Sequence, residues 1–178
     1  YKSKKCGLAS ARAGNVIGGG DWSENRLIPD TVNSIIKEKT IKIRNPNFNR
    51  PWQHVLEPLY GYLLLGEKLF NKPKTYSGPW NFKKKKNTVT NVLEIVKEIV
   101  KFWGKGKINF KKNQKYYEQT NLQLNIEKAI KILKWKPKYS ISKSVKVTAE
   151  WYKRVLIEKH SVEKITEKQI KDYMNEHK

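Results

Sequence analysis

Residues 12–22 read Arg12-Ala13-Gly14-Asn15-Val16-Ile17-Gly18-Gly19-Gly20-Asp21-Trp22. Upstream, Leu8 to Ala13 is a run of small and apolar residues that predicts a short buried strand. Gly14 to Gly20 then forms a loop with little side-chain bulk. In open α/β sheets, ligands bind just beyond the carboxyl ends of the strands. Asn15 stands at that point and can both donate and accept hydrogen bonds. Glycines there would let backbone approach a ligand closely, although a tight structural turn would use them equally well. The spacing is neither Gly-x-Gly-x-x-Gly nor a Walker loop, so it is not a dinucleotide fingerprint.

Just downstream, Arg26-Leu27-Ile28-Pro29-Asp30 opens a predicted helix over 28–36, with Pro29 near its start and Asp30 in its first turn. Thr40 to Arg44 alternates like a strand. A second informative stretch follows, Arg44-Asn45-Pro46-Asn47-Phe48-Asn49-Arg50-Pro51-Trp52-Gln53-His54-Val55-Leu56-Glu57-Pro58. An Arg held by a rigid Pro-Trp step, just ahead of a helix, is placed to grip a phosphate. His54 runs straight into apolar helix, which favours a buried structural histidine over a catalyst.

The apolar spacing of 55–70 predicts a helix that Pro73 closes. Trp80-Asn81-Phe82 is a strand candidate. Residues 88–102 form the clearest amphipathic helix, ended by Gly104 and Gly106. Ile108 to Phe110 and Leu122 to Leu124 read as short strands. Asn125 is placed to cap a helix running to Leu133, and Ser142 is placed to open another that ends near Ile157. Residues 160–178 read as a helical or frayed tail, behind one structural unit over 1–159.

Composition narrows the class. The 178 residues include six Trp, nine Tyr and five Phe, enough bulky material for a core. No apolar run approaches the roughly 20 residues of a membrane helix, and no secretory leader pattern opens the sequence. The lone Cys6 and three scattered His offer neither a disulfide nor a metal set. The chain opens on Tyr1 and its one Met is Met174, which points to a processed or partial chain. The net charge is +22, from 33 Lys and only five Arg against 16 acidic residues. A nucleic-acid-binding module is one reading of that charge. Lysine spread along the whole sequence, with Arg scarce, fits a solvated surface better, because Arg leads where phosphates or bases are gripped bidentately.

Taken together, the two long motifs resemble the extended short-chain dehydrogenase/reductase family, in the branch of 4,6-dehydratases that act on CDP-sugars. Gly66-Glu67-Lys68-Leu69, Trp80-Asn81-Phe82, Leu124-Asn125-Ile126-Glu127-Lys128-Ala129, Leu133-Lys134-Trp135-Lys136-Pro137 and Thr148-Ala149-Glu150-Trp151-Tyr152 extend the likeness over residues 7 to 155. The resemblance implies an α/β fold. This chain would be the carboxyl-terminal part of a Rossmann-type doubly wound sheet, plus a small mixed α/β substrate-binding domain. It implies a cytoplasmic enzyme that uses NAD, held mainly by an amino-terminal half this sequence does not contain. It also implies a nucleotide-diphosphate sugar as substrate and a homodimer as the intact enzyme, with no membrane or specific nucleic-acid partner. The isolated portion would be inactive.

The resemblance assigns residues as well. Asn15 would contact the diphosphate, Arg26 and Leu27 would line the nucleotide pocket, and Arg50 would pair with phosphate. Asn81 and Glu118 would complete the substrate site, and Arg12 and Ala13 would lie near the nicotinamide. No catalytic residue is expected here, because the family's Tyr-x-x-x-Lys pair would lie upstream. Tyr1 and Lys5 match that spacing, but only Cys6 and Gly7 separate them from the strand at Leu8, too few for the long helix such a pair needs. The sequence departs from the family pattern at Lys83-Lys84, where Gly-Pro is expected. It also departs at Tyr117 and Gln119 around Glu118, and at Asn125, which stands for Asp. Another epimerase or dehydratase of the family, or an inactive remnant, stays open at this level.

Overall fold

Parallel strand pairs carry the chain, and helices make the crossovers that parallel pairing requires. The computed structural model describes residues 6–84, 90–110 and 124–177. β1 (Ala9–Ala13) runs parallel to β6 (Gly78–Phe82), with Arg12 opposite Asn81 and Ala13 opposite Phe82. β2 (Val16–Ile17) pairs with β5 (Gln53–His54), and β3 (Ile41–Ile43) pairs with β8 (Ile108–Phe110), both parallel. β4 (Asn49–Arg50) and β7 (Thr90–Asn91) are antiparallel. The helices are α1 (Leu27–Ile36), α2 (Leu56–Asn71), α3 (Pro73–Tyr76), α4 (Val92–Trp103), α5 (Glu127–Lys131), α6 (Ile141–Leu156) and α7 (Val162–Asn175).

Two apolar cores result. In one, Val32 and Ile35 of α1 meet Ile41 and Ile43 of β3. Ile95, Val96 and Ile99 of α4 close over them, and Val145, Trp151 and Tyr152 of α6 complete the layer. The other holds Leu65 of α2, Trp80 and Phe82 of β6, Ala129 of α5, and the Leu133-to-Trp135 turn. The first core follows the hydrophobic spacing of 28–36 and of 92–103 closely, because both helices turn one stripe inward.

Helix starts differ from the sequence expectation where capping decides them. α4 begins at Val92 rather than near residue 88, since Thr90 and Asn91 pair with β4. Asn91 also forms a capping box: its side chain accepts from the Glu94 N–H, while Glu94 accepts from the Asn91 N–H. α6 begins at Ile141, not Ser142, because Ser140 is the cap and accepts from the Lys143 N–H at 3.0 Å. Asn125 accepts from the Glu127 N–H at 2.8 Å, but it stands one residue ahead of the N-cap of α5, Ile126, and the helix ends at Lys131 rather than Leu133. Gly104 ends α4 in the left-handed conformation, with φ 80°.

Two further expectations change. Leu8 to Ala13 predicts a buried strand, yet Leu8, Ser10, Ala11 and Arg12 are exposed. Among the described residues, β1 has β6 on one edge and no strand on the other. The strand expected over 122–124 falls partly outside the described residues, and Leu124 itself lies in no strand.

Candidate functional site

The carboxyl end of β1, the loop to β2 and the amino-terminal turn of α1 face one another across a cleft of about 700 Å³. Arg12, Ala13 and Asn15 line one side, Arg26 and Leu27 the other, with Trp52 and Leu124 among the remaining walls. An adjoining, more open cavity of about 1130 Å³ runs along α1 and β3. Asn15, Asn25, Leu27 and Trp52 border both, and Arg44 and Arg50 line the second.

Main-chain bonds hold these walls in place. The Gly14 N–H donates to the Phe82 carbonyl at 2.9 Å, and the Gln53 N–H donates to the Asn15 carbonyl at 2.9 Å. Gln53 is buried, and its amide also donates to the Phe82 carbonyl at 2.8 Å. One glutamine thus joins β5, β6 and the Asn15 turn, which leaves the Asn15 side chain free of the task of holding its own loop. The Trp52 indole donates to the Thr90 carbonyl at 3.2 Å and fixes the partition between the two cavities.

The electrostatics favour an anion. Arg26 occupies the N-cap of α1 and offers no side-chain cap, so the positive end of the helix opens on the cleft. Arg26 stands 4.0 Å from Asp21, at the outer limit of an ion pair, with both partly in solvent. Arg44 donates to the Asn25 side chain at 2.6 Å, and Asn25 sits in the left-handed region at φ 62°. In β4 the Arg50 guanidinium lies over the Phe48 ring at 5.1 Å and donates to the Asn49 carbonyl.

Of the residues singled out from sequence, Arg12, Ala13, Asn15, Arg26 and Leu27 share the first cleft, and Arg50 lies in the adjoining one. Asn81 lines neither. Its amide donates to the Asn125 carbonyl at 2.9 Å, while its buried Oδ1 accepts nothing among the described residues. Glu118 lies outside the described residues. His54 is buried, and burial depresses its pKa to about 4, so it is neutral near pH 7. Two of the three glycines are also required by packing, while Gly18 still lines the first cleft. A Cβ on Gly19 would stand 2.1 Å from the Trp151 ring, and one on Gly18 would stand 2.7 Å from Val55.

Sequence reasoning passed over Gln53, Asn25 and Glu57. Glu57 is a buried carboxylate that accepts from the Lys138 and Tyr139 N–H groups and from the Tyr173 hydroxyl. An acidic residue inside the apolar spacing of α2 was the one visible signal for it.

With this geometry in hand, the sequence can be compared with known proteins. It is 36% identical over 176 residues to a CDP-glucose 4,6-dehydratase of Salmonella typhimurium, matching 98% of this chain and 49% of that protein. The chain is homologous to the carboxyl-terminal part of that dehydratase. It therefore spans about half the length of this curated relative. No family model matches the chain. Solved structures share the fold at low identity. A UDP-glucuronic acid 4-epimerase from Bacillus cereus, in complex with UDP-glucuronic acid and NAD, has TM-score 0.68 at 18% identity, covering 82% of this chain and 45% of that one. A dTDP-glucose 4,6-dehydratase from Bacillus anthracis, in complex with NAD, has TM-score 0.64 at 21% identity, covering 82% and 44%. These neighbours are short-chain dehydrogenase/reductase epimerases and dehydratases with a Rossmann-type fold, and the mixed α/β architecture here is of that type.

Proposed function

We propose that the chain is the sugar-nucleotide-binding portion of an NAD-dependent CDP-glucose 4,6-dehydratase, which turns CDP-glucose into CDP-4-keto-6-deoxyglucose and water. The observation that carries this reading is the placement of arginine. Of the five arginines, Arg12 and Arg26 line the first cavity, Arg44 and Arg50 line the second, and only Arg154 lies elsewhere. The 33 lysines are strung along the whole sequence. A surface that merely favours cations would not sort its arginines this way, whereas a diphosphate clamp needs their forked donors.

In this reading Asn15 hydrogen-bonds the diphosphate at the foot of the cleft. Arg50 and the open end of α1 supply charge and N–H donors. Arg26 and Leu27 wall the nucleotide, Asn81, from outside the two cavities, and Glu118 complete the site, and Arg12 and Ala13 border the nicotinamide. The described residues do not form a dinucleotide cradle of their own. Gly19, in the bare backbone such a cradle would use, packs against the Trp151 ring. Binding of NAD therefore falls to chain beyond these residues, and the portion alone is inactive. The intact enzyme is a homodimer.

The test is turnover by the intact protein, with NAD and, in parallel, CDP-glucose, UDP-glucose and dTDP-glucose. A 4-keto-6-deoxy product from CDP-glucose at the highest kcat/KM is expected. Failure to form any keto sugar from the three would overturn the reading, and an epimerised product would move the chain to another branch.

A further inference from the structure

The cleft reading gives the last helix no role, yet α7 is tied into the fold at several points. Its Thr166 hydroxyl accepts from the Trp151 indole at 3.0 Å, and its Tyr173 hydroxyl donates to Glu57 at 2.8 Å. Gln169 donates to the Val147 carbonyl at 2.9 Å, Lys143 pairs with Glu176, and His177 stacks on Tyr60 at 3.9 Å. Tyr173 and Ile165 are buried.

Both main anchors lead toward the cleft. Trp151 lies against Gly19, in a space that a single methyl group at Gly19 would already invade. Beside it, Tyr152 donates to the Asp21 carbonyl at 2.6 Å, and Trp22 packs edge-on against Tyr152 at 5.3 Å between ring centres. Gly18 and Asp21 are cleft walls, and Asp21 faces Arg26. The second anchor, Glu57, sits in the first turn of α2, directly after β5, whose Gln53 holds the Asn15 turn. The shared bond to Trp151 therefore makes the position of the glycine wall depend on α7.

We infer that α7 is a clamp for the cleft: through Trp151 it sets where Gly18 to Asp21 stand against Arg26, and so how tightly a sugar diphosphate is held. This rests on the sugar-nucleotide reading for its ligand, though not for the mechanical link. Thr166 and Trp151 are positioning residues that touch no ligand. Packed protein passes such a constraint on because its interior has little free volume to absorb a shift. Coupling of this kind is reciprocal, so a change at the cleft must loosen α7 just as a change in α7 loosens the cleft.

The test uses the intact protein and two opposed variants. Thr166→Val keeps the shape of the side chain and removes the indole acceptor. Nuclear magnetic resonance order parameters of the Gly18-to-Trp22 amides should fall from about 0.85 toward 0.6, with those of α1 and α4 unchanged. Affinity for CDP-glucose should weaken about fivefold, the ratio one lost hydrogen bond commands. Gly19→Ala, at the other end, should raise amide exchange over Ile165 to Tyr173 by about the same ratio, while exchange in α4 stays as in wild type. If Gly19→Ala unfolds the protein, Trp151→Phe, which keeps a ring and loses the N–H, replaces it with the same expectation. Unchanged loop order in Thr166→Val overturns the clamp, as does exchange that rises evenly over the whole molecule. Reciprocal loosening in the two variants, with a wild-type protein that binds no sugar nucleotide, would leave the clamp standing and remove the proposed function instead.

Discussion

Replacing Glu57 by alanine should cost about 3 kcal/mol of stability, and the figure can be built from its partners. The carboxylate receives two backbone N–H groups, from Lys138 and Tyr139, and the Tyr173 hydroxyl. Glu57, Tyr139 and Tyr173 are buried, so water cannot readily replace what alanine removes. Each buried donor left without an acceptor costs roughly 1–3 kcal/mol. Lys138 is exposed and pays at the low end of that range. Set against this is relief from burying a charge. Burial raises the Glu57 pKa, while the three donors pull it back down. The sum is about 3 kcal/mol, at the low end of the roughly 3–5 typical of breaking a fully buried ion pair. Glu57→Gln keeps one oxygen for the two N–H groups and should cost about 1 kcal/mol. The assay is urea unfolding followed by far-ultraviolet circular dichroism, with the slope m checked for constancy. A double-mutant cycle sharpens it. Tyr173→Phe should destabilise the wild type by about 1 kcal/mol and the Glu57→Ala background by nearly nothing. A Glu57→Ala protein within about 1 kcal/mol of wild type, or strict additivity with Tyr173→Phe, would refute the idea that this carboxylate pins the 138–139 turn and α7 to α2.

Two other outcomes follow from the same coordinates. His54 has a folded pKa of about 4 against 6.5 in the unfolded chain. The unfolded state therefore binds more protons between those values, and stability is lost as pH falls from about 6.5 to 4. The loss attributable to His54 is about 3 kcal/mol. Comparing unfolding midpoints of wild type and His54→Gln across that window isolates it, because the opposite-signed contribution of Glu57 is common to both, and parallel profiles would refute the assignment. Asn91→Ala removes the reciprocal cap of α4 and should cost about 1 kcal/mol. It should also weaken sugar-nucleotide binding several-fold, since Asn91 pairs with Asn49 beside Arg50. A stability loss without any change in binding would separate the cap from the Arg50 strand.

Periodicity and punctuation made much of this fold legible. The stripe of α4, the Pro-led start of α1 and the glycine stop at Gly104 each reflect a local rule that tertiary contacts reinforce. The misplaced start of α4 came from giving apolar spacing precedence over its cap, and that of α6 from taking Ser142 rather than Ser140 as the opening serine. Asn91 and Ser140 each satisfy an N–H group three residues on, and that bond sets the boundary. The cleft was half legible. Arg12, Asn15, Arg26 and Leu27 are brought together because the end of a strand and the start of the next helix must lie close in an α/β unit. Gln53 and Glu57 were hidden, because a buried polar residue owes its place to partners distant in sequence. Phe82 lies 29 positions from Gln53, and Tyr173 lies 116 from Glu57. The packing demand on Gly19 was hidden for a related reason, since the ring it faces is Trp151, far along the chain.

The sharpest disagreement between pattern and burial has a physical logic of its own. β1 has the composition of a covered strand and is exposed, with no described strand on its outer edge. α2 carries an inward stripe, yet also turns Leu59, Leu63 and Phe70 to solvent, at 45%, 75% and 89% exposure. These three follow helical spacing, so they form a second stripe rather than scattered apolar residues. An open strand edge and a bare apolar helix face both invite association when nothing covers them. Both features occur on the β1–α2 side of the molecule, where Gly7 approaches Leu69. The arginine-lined cleft opens at the other end of β1. Among the described residues, the outer edge of β1 and the Leu59, Leu63 and Phe70 face of α2 are therefore surfaces open to association, and none of those three side chains lines the cleft in which the proposed function places the sugar nucleotide.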